Sequence, residues 1–349
     1  MEEYLDEHRD NYAVDTVIHD LDYWRQVLDP AIERCRIEKL IRGYSPSRVY
    51  RIHLEYARNG KGPASVVCKE SRDPWPDTDP DGLNREWLVY RECLHHLPVI
   101  GPGLLHSERS ATGNRLVLVD LELEHYFLPA QHVWSAAQFR PVLETLALLH
   151  VAAEDLPLQN HSLLMPEPDR RWDSHVVQTA IRTLVTDKTY GERARRLCPV
   201  VDELLEHLAA QFGHWQQQPR TLLHCDFNPS NVAFQQGSGA ARLIDWHIAG
   251  TGMAAFEVAS LFYQPYHNHK ELDRPAIVRD YVEVRRGLDG RSVHHDEEWA
   301  AFCYAMAGNG LSYLPPVART LQQTGRLGDW WGNMFEAIVE NLEWCASQR

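Results

Sequence analysis

Two polar segments in the second half of the chain carry the side chains best suited to chemistry. The first begins at His224 with the spacing His-x-Asp-x-x-x-x-Asn, and the second contains Asp245. A loop carboxylate such as Asp226 can accept the proton of a hydroxyl group, while Asn231 and Asp245 offer oxygen ligands for Mg²⁺. Phosphoryl transfer needs few other protein groups, because it depends mainly on positioning and charge neutralisation. We therefore expect phosphoryl-transfer chemistry at these two segments.

A β-hairpin between the segments would bring their side chains together. Residues 232–234 form an apolar run, residues 235–239 predict a turn, and residues 242–244 predict a returning strand. The start of one strand of a hairpin lies beside the end of the other. We therefore expect Asn231 and Asp245 side by side, with Asp226 facing the same point.

His224 is the remaining member of the first segment. We expect it to support the loop by hydrogen bonding rather than to act as a base. The alternative to a catalytic site is a structural loop, in which Asp, Asn and Pro are ordinary turn residues and His224 is a buried polar group.

Composition limits the class of protein. The chain has 349 residues, enough for two lobes, and its net charge of −14 argues against binding of nucleic acid. Its 7 cysteines are dispersed and lack a CxxC pair, so we expect reduced thiols in a cytoplasmic protein. The acidic start does not resemble a signal peptide, and no apolar run approaches the ~20 residues that span a membrane.

The first third of the chain predicts a helix over 16–34 and a small sheet. Strands are expected at 36–41, 49–56 and 65–69, with a small-residue loop that contains Gly43, Ser45 and Ser47. The third strand carries Lys69. This order is typical of a nucleotide-binding lobe, in which the loop and the lysine meet the phosphates. The alternative for Lys69 is a solvent-facing strand end.

A helix predicted over 82–97 supplies a partner for the lysine. Glu86 and Glu92 are the candidates, and Glu86 is preferred because it adjoins the apolar stripe of the helix. An exposed helix glutamate is the alternative. The preceding segment, 73–81, is rich in Pro and Asp, and predicts either a solvated insertion or a flap over the cleft.

The middle of the chain marks the change from sheet to helices. An apolar strand over 115–119 leads to Asp120 and Leu121, where a hinge would hydrogen-bond the adenine edge through its backbone. From residue 135 the pattern turns helical. We therefore predict an α+β, two-lobed fold, with a small antiparallel-sheet N-lobe and N-terminal helical extension over 1–121. A mostly helical C-lobe with the catalytic hairpin would occupy 122–349.

These features resemble the aminoglycoside phosphotransferase and choline kinase superfamily, small-molecule kinases with a protein-kinase-like fold. The resemblance covers about 40–262 and rests most on the segment that begins at His224 and on Ile244-Asp245-Trp246. It implies that ATP and Mg²⁺ bind between the lobes, with Asp226 as catalytic base and Asn231 and Asp245 as metal ligands. It also implies that Lys69 contacts the α- and β-phosphates and pairs with Glu86.

Three residues depart from the family pattern. The family usually has Gly where Cys225 stands and His where Asn228 stands, and it often has Asp where Glu257 stands. The nucleotide loop also holds a single glycine. None of these changes removes the base or a metal ligand, so we expect an active kinase. A non-catalytic nucleotide-binding scaffold remains the alternative from another class.

The acceptor is predicted from the region after Asp245. Acids and aromatic residues there could hold a cation, which favours a small amine-bearing acceptor such as an aminoglycoside or amino-alcohol. A neutral sugar, nucleoside or amino-acid alcohol is the alternative, in which the last helix only packs its apolar face. The candidate acceptor-binding residues are Glu257, Asp296, Glu298, Trp330 and Glu336.

Overall fold

The structure is a computed structural model. It describes residues 16–40, 48–58, 60–72, 82–97, 100–110, 113–129, 134–158, 164–166, 173–263, 272–289 and 294–348. The chain forms two compact units, one from residues 1–83 and 102–124 and the other from residues 84–101 and 125–349. The first contains an antiparallel sheet and the second is mostly helical, so the predicted α+β fold is confirmed.

The first unit is built on five antiparallel strands in the order β1-β2-β3-β5-β4. A 3₁₀ turn at Thr16–His19 and a helix α1 precede the sheet. The helix is shorter than the predicted 16–34, because Pro30 lacks an N–H group and keeps Asp29 out of the helical region. The elements are α1 (Leu21–Val27), β1 (Ile32–Leu40), β2 (Arg48–Tyr56), β3 (Ser65–Arg72), β4 (Leu104–Ser110) and β5 (Gly113–Val119).

The two faces of this sheet differ in character. Cys68 of β3 pairs with Tyr50 and Val117, and all three belong to a buried apolar cluster that also contains Trp24. Because successive side chains of a strand point to opposite faces, Lys69 faces away from this cluster. Lys69 is nevertheless buried, and β3 continues beyond it to Arg72. It is therefore not a solvent-facing strand end.

The second unit begins within the helix predicted over 82–97. That segment is an α-helix, α2, continued by a π turn and a 3₁₀ turn. The elements are α2 (Gly82–Leu88), π turn (Val89–Cys93), 3₁₀ turn (Leu94–His96), β6 (Tyr126–Phe127), α3 (Ala136–Ala153), β7 (Met165–Pro166), α4 (Ser174–Val185), α5 (Gly191–Trp215), β8 (Thr221–Leu223), β9 (Val232–Gln235), β10 (Ala241–Leu243), β11 (Gly250–Gly252), α6 (Ala254–Ser260), α7 (Arg274–Asp289), α8 (His295–Thr324) and α9 (Asp329–Ser347).

Two small sheets position the catalytic segments within the second unit. Strands β9 and β10 form the expected hairpin and pair with β6, while β8 pairs with β11. The hairpin turn contains Gly237 and Gly239 with φ of 89° and 72°, a conformation that glycine adopts without strain. Among the described residues, no helix is long and apolar enough to cross a membrane.

Candidate active site

His224 directly follows β8, and its side chain anchors the loop that begins at this residue. Its side chain is fully buried, with the Nε2 atom 2.8 Å from the carbonyl oxygen of Ile244 and the Nδ1 atom 3.3 Å from the backbone N of Asp226. Because Nδ1 accepts from that backbone N–H, Nε2 carries the ring proton and donates it to Ile244. The ring thus connects the loop to the segment that contains Asp245. This geometry agrees with a supporting role for His224.

The carboxylate of Asp226 is held by two asparagine side chains. The Nδ2 atom of Asn231 donates to Asp226 Oδ2 at 2.8 Å, and the Nδ2 atom of Asn228 donates to Asp226 Oδ1 at 3.0 Å. Both amides also donate to the backbone carbonyl oxygen of Asp226, at 2.9 and 3.1 Å. The carboxylate therefore has one amide donor on each oxygen, and each oxygen keeps further lone pairs for another partner.

The hairpin places Asp245 next to this loop. Leu243 pairs with Val232, and the backbone N of Ile244 donates to the carbonyl oxygen of Asn231 at 2.9 Å. Asp245 follows directly in the left-handed region, with φ of 69°. Its Oδ1 atom lies 3.0 Å from His247 Nδ1. Non-glycine residues rarely adopt this conformation, and those that do are concentrated at functional sites.

These residues fit a magnesium site by their donor chemistry. Asn231 directs its amide nitrogen to Asp226, so its Oδ1 atom is the atom left for a metal, and Asp245 adds a carboxylate. Mg²⁺ usually takes one or two protein carboxylates and completes its octahedron with phosphates and water. In the described part of the chain, no cluster of three His, Cys, Asp or Glu residues could hold a metal.

Glu257 of α6 supports the loop that begins at His224, and its side chain is buried. Its Oε2 atom accepts from the backbone N of His224 at 2.9 Å, and its Oε1 atom accepts from the backbone N of Cys225 at 2.8 Å. The side chain is 1% exposed. The prediction that Glu257 binds the acceptor is therefore corrected, because its carboxylate is committed to two loop amides inside the protein.

A buried histidine completes the environment of this carboxylate. His150 at the end of α3 has its Nε2 atom 3.3 Å from Glu257 Oε2 and its Nδ1 atom 2.8 Å from the hydroxyl of Tyr281. Burial lowers the pKa of His150 below its ordinary value, against the raising effect of Glu257. We therefore take His150 as neutral, accepting from Tyr281 and donating to Glu257.

The ionisation of Glu257 is consistent with this arrangement. Burial alone would raise the pKa of the carboxyl, but the hydrogen bonds from the His150 ring and from the backbone of His224 hold that pKa below its ordinary value. The group is thus a buried anion with three donors. Nothing in the local spacing of Glu257 predicts this role, because its three donors come from two distant segments of the chain, one with His150 and one with His224 and Cys225.

Helix α2 contacts the segment that contains Asp245. Glu86 is buried, and its Oε1 atom accepts from the backbone N of Trp246 at 3.2 Å. The neighbouring Arg85 donates through Nη1 to the carbonyl oxygen of His247 at 2.6 Å. Glu86 is therefore not an exposed helix glutamate. Its pairing with Lys69 stays a prediction.

The predicted hinge is anchored by a buried aspartate in the first unit. Asp120 Oδ2 accepts from Arg51 Nε at 2.7 Å and from the hydroxyl of Ser65 at 2.6 Å, and Asp120 Oδ1 accepts from the backbone N of Glu122 at 3.2 Å. These bonds fix the start of the 3₁₀ turn Leu121–Glu124. Adenine binding by the backbone of Asp120 and Leu121 stays a prediction. The predicted phosphate loop with Gly43, Ser45 and Ser47, and the segment 73–81, lie outside the described residues.

The other predicted acceptor-binding residues are not gathered into one site. Asp296 is the second residue of α8 and Trp330 is the second residue of α9. The two helices run antiparallel: Trp299 near the start of α8 contacts Trp344 near the end of α9, with 5.7 Å between ring centroids. A helix rises ~1.5 Å per residue, so Asp296 and Trp330 lie roughly 25 Å apart along the pair. One small acceptor cannot contact both.

The two glutamates of that set bind arginines of the protein itself. Glu298 of α8 accepts from Arg285 at 2.8 Å, and Arg285 also pairs with Glu154. Glu336 of α9 pairs with Arg193 of α5. Prediction of these acids as a cation site is therefore corrected: cations of neighbouring segments already pair with them.

Aromatic residues of the same region are also used internally. Tyr263 is fully buried and donates its hydroxyl to Met306, and Tyr304 is buried. The guanidinium of Arg274 lies over the rings of Trp344 and Phe262, with centroids at 4.8 and 5.4 Å. A cation–π arrangement is thus present, and its cation is a side chain of this protein.

The fold is shared with solved small-molecule kinases. Choline kinase from Cryptosporidium parvum has a TM-score of 0.58 at 11% identity, over 92% of this chain and 90% of that one. Ethanolamine kinase from Plasmodium vivax has a TM-score of 0.56 at 12% identity, over 99% and 93%. A thermostable mutant of aminoglycoside phosphotransferase APH(4)-Ia, in ternary complex with ADP and hygromycin B, has a TM-score of 0.51 at 18% identity, over 91% and 96%.

The fold and the family match define the class as a small-molecule phosphotransferase with a kinase-like fold, which acts on a hydroxyl group. Residues 42–294 match the phosphotransferase enzyme family, and the chain belongs to that family. No curated protein matches the sequence.

Proposed function

We propose that the protein transfers the γ-phosphoryl group of ATP, with Mg²⁺, to a hydroxyl group of a small amine-bearing acceptor. One observation carries the reaction: the Asp226 carboxylate is held by two amides in the loop that adjoins Asp245. A carboxylate fixed in this way can receive a proton without first reorienting, which is the arrangement that general-base catalysis requires.

The proposed step has a simple proton and electron balance. The acceptor oxygen forms a bond to the γ-phosphorus while the bond from that phosphorus to the departing ADP oxygen breaks. The hydroxyl proton passes to a carboxylate oxygen of Asp226. His224 and Glu257 hold the backbone of the loop, so that Asp226 keeps its position during the transfer.

Asn231, Asp245 and Lys69 are assigned to the nucleotide. Bound Mg²⁺ would supply positive charge that neutralises the phosphate oxygens, and Asn231 Oδ1 with the Asp245 carboxylate would hold it. The ammonium group of Lys69 would contact the phosphates, with Glu86 as its partner. The burial of Lys69 and Glu86 supports these assignments, because a buried charge needs an opposite charge.

The amine-bearing acceptor is supported by the chemistry of the fold neighbours. Choline and ethanolamine, named in two of them, each combine a hydroxyl with a cationic nitrogen. The third neighbour is an aminoglycoside phosphotransferase in complex with ADP and hygromycin B, and aminoglycosides also carry both hydroxyl and amine groups. The acids and aromatics of α8 and α9 do not add support, because they pair within the protein.

A panel of acceptors in a coupled ADP-release assay tests the proposal. The panel holds choline, ethanolamine, aminoglycosides, neutral sugars and nucleosides. It also pairs choline with 3,3-dimethyl-1-butanol, which has the same shape without the charge. We expect the charged acceptor to have a kcat/KM at least ~10-fold higher, about 1.4 kcal/mol of discrimination. Transfer to neutral sugars or nucleosides alone would contradict the proposal of an amine-bearing acceptor, while the proposed kinase reaction would stand. Failure of all acceptors, with ATP bound, would remove the proposed reaction.

A further inference from the structure

Asn228 lies two residues after Asp226, and its side chain makes hydrogen bonds as acceptor and as donor. Its Oδ1 atom accepts from the backbone N of Ser230 at 2.9 Å, which caps the 3₁₀ turn Pro229–Asn231. Its Nδ2 atom donates to Asp226 Oδ1 at 3.0 Å and to the Asp226 carbonyl oxygen at 3.1 Å. One planar amide therefore caps the turn and restrains the carboxylate.

The restraint depends on a second amide on the other side. Asn231 Nδ2 donates to Asp226 Oδ2 at 2.8 Å, so each carboxylate oxygen has its own donor. Rotation of the carboxylate about its Cβ–Cγ bond would break both bonds. With Asn228 removed, Asn231 alone would hold one oxygen, and the carboxylate could turn.

The residue type matches this double task. An amide offers one acceptor oxygen and two N–H donors on a short side chain, whereas serine or aspartate can cap a turn without supplying the same donors. A capping role alone would not require the two bonds to Asp226. The family that the chain resembles usually has His at this position. The amide donor of Asn228 is therefore a feature of this chain and is not taken from the family pattern.

We propose that Asn228 is a positioning residue, which holds the Asp226 carboxylate in the orientation that receives the proton of the acceptor hydroxyl. The inference rests on the proposed function, in which Asp226 is the base. It predicts that loss of the donor lowers kcat with little change in nucleotide binding. Within the described part of the chain, the side-chain hydrogen bonds of Asn228 go to Asp226 and Ser230, and neither residue is assigned to the phosphates.

Two variants separate positioning from capping. Asn228→Ser keeps a good cap but ends one bond short of the Nδ2 atom, and Asn228→Ala loses the cap and the donor. We expect Asn228→Ser to keep the wild-type Tm and the KM for ATP, and to lower kcat about 10- to 100-fold, the range for a slightly misplaced catalytic group. Asn228→Ala should lower both Tm and kcat.

A double-mutant cycle gives the decisive result under single-turnover conditions. If Asn228 acts through Asp226, Asn228→Ser has no further effect on the residual transfer rate of Asp226→Ala. A wild-type kcat for Asn228→Ser, or the same fold loss with and without Asp226, would overturn the inference and leave the kinase reaction intact. Full transfer by Asp226→Ala would remove the assignment of Asp226 as the base, and this inference with it. No transfer by the wild type would remove the proposed function as well.

Discussion

Polar side chains between His224 and Trp246 bind partners only a few residues away in the sequence. The acids of α8 and α9, in contrast, bind arginines of other segments. In the first region, Asp226 lies within hydrogen-bonding distance of two loop asparagines. In the second, Glu298 and Glu336 pair with Arg285 and Arg193. The same residue types therefore form a local hydrogen-bonded cluster in one region and ion pairs with arginines in the other.

The difference arises from backbone geometry. A short loop and a tight hairpin bring several side chains to one point, while a helix separates its residues by ~1.5 Å along its axis. Asn231 and Asp245 are placed side by side by the register of β9 and β10, and Asp226 is held by the loop asparagines. Asp296 and Trp330 lie at opposite ends of an antiparallel helix pair. The same substitution, made at the same residue type in each region, should therefore affect transfer or stability differently.

The largest contrast is expected between two aspartates. Asp245→Asn keeps the size of the side chain and tolerates the left-handed backbone, but it removes the charge assigned to Mg²⁺. Transfer should fall about 100- to 1000-fold, as for other lost electrostatic contacts, and the thermal stabilisation by ATP with Mg²⁺ should disappear. Asp296→Asn, in an exposed position, should change neither. An unchanged thermal shift for Asp245→Asn would contradict its metal role.

Two glutamates give the next contrast, in stability. Glu257→Ala removes the acceptor of two loop amides and of His150 and should cost about 3–5 kcal/mol, as for breaking other buried pairs. Glu336→Ala breaks a half-exposed pair with Arg193 and should cost about 0–1 kcal/mol. Urea denaturation measures both. Similar losses for the two variants would mean that Glu257 does not hold the loop.

Acid should weaken the region around His150. Its folded pKa is depressed by burial, so the unfolded chain binds the proton more readily. Stability is therefore full above the ordinary pKa of 6.5 and falls as the pH drops through and below it. The depressed pKa of Glu257 adds a loss at lower pH, as the carboxyl becomes protonated.

His150→Gln keeps an N–H donor without a titrating ring. The difference in Tm between wild type and this variant should narrow between pH 7.5 and 5.5. His295→Gln, at a half-exposed position of α8, should leave the difference constant. A pH-independent gap for His150→Gln would show that the buried ring does not contribute to the acid dependence.

The smallest contrast is between two cysteines, where substitution by glycine should change stability in opposite directions. Cys225 has φ of 62°, so Cys225→Gly relieves a left-handed conformation and should raise stability by about 0.5–1 kcal/mol after the entropy of glycine is included. Cys303 lies inside α8, where Cys303→Gly should lower stability by about 1 kcal/mol or more. Thermal denaturation compares the two. A loss of stability for Cys225→Gly would mean that its side-chain packing outweighs the backbone strain.

Local patterns predict much of this molecule. Alternation in β2, the Lys69 strand and the hairpin to Asp245 follow from period, turn residues and motif spacing, and the structure has all three. The helix over 16–34 was predicted too long, since Pro30 ends it. The partners of Glu257 are not predictable, because His150 and the His224-Cys225 backbone lie in distant segments that only the folded packing brings together.

Rates and binding of Asp226→Ala test the central claim most directly. The variant should fold, keep the wild-type thermal shift with ATP and Mg²⁺, and lose transfer to every acceptor that the wild type uses by at least ~100-fold, the scale of a general base. Single-turnover transfer of the γ-phosphoryl group measures this loss without interference from product release. A rate close to that of the wild type, in a folded variant that binds ATP, would contradict the assignment of Asp226 as the base.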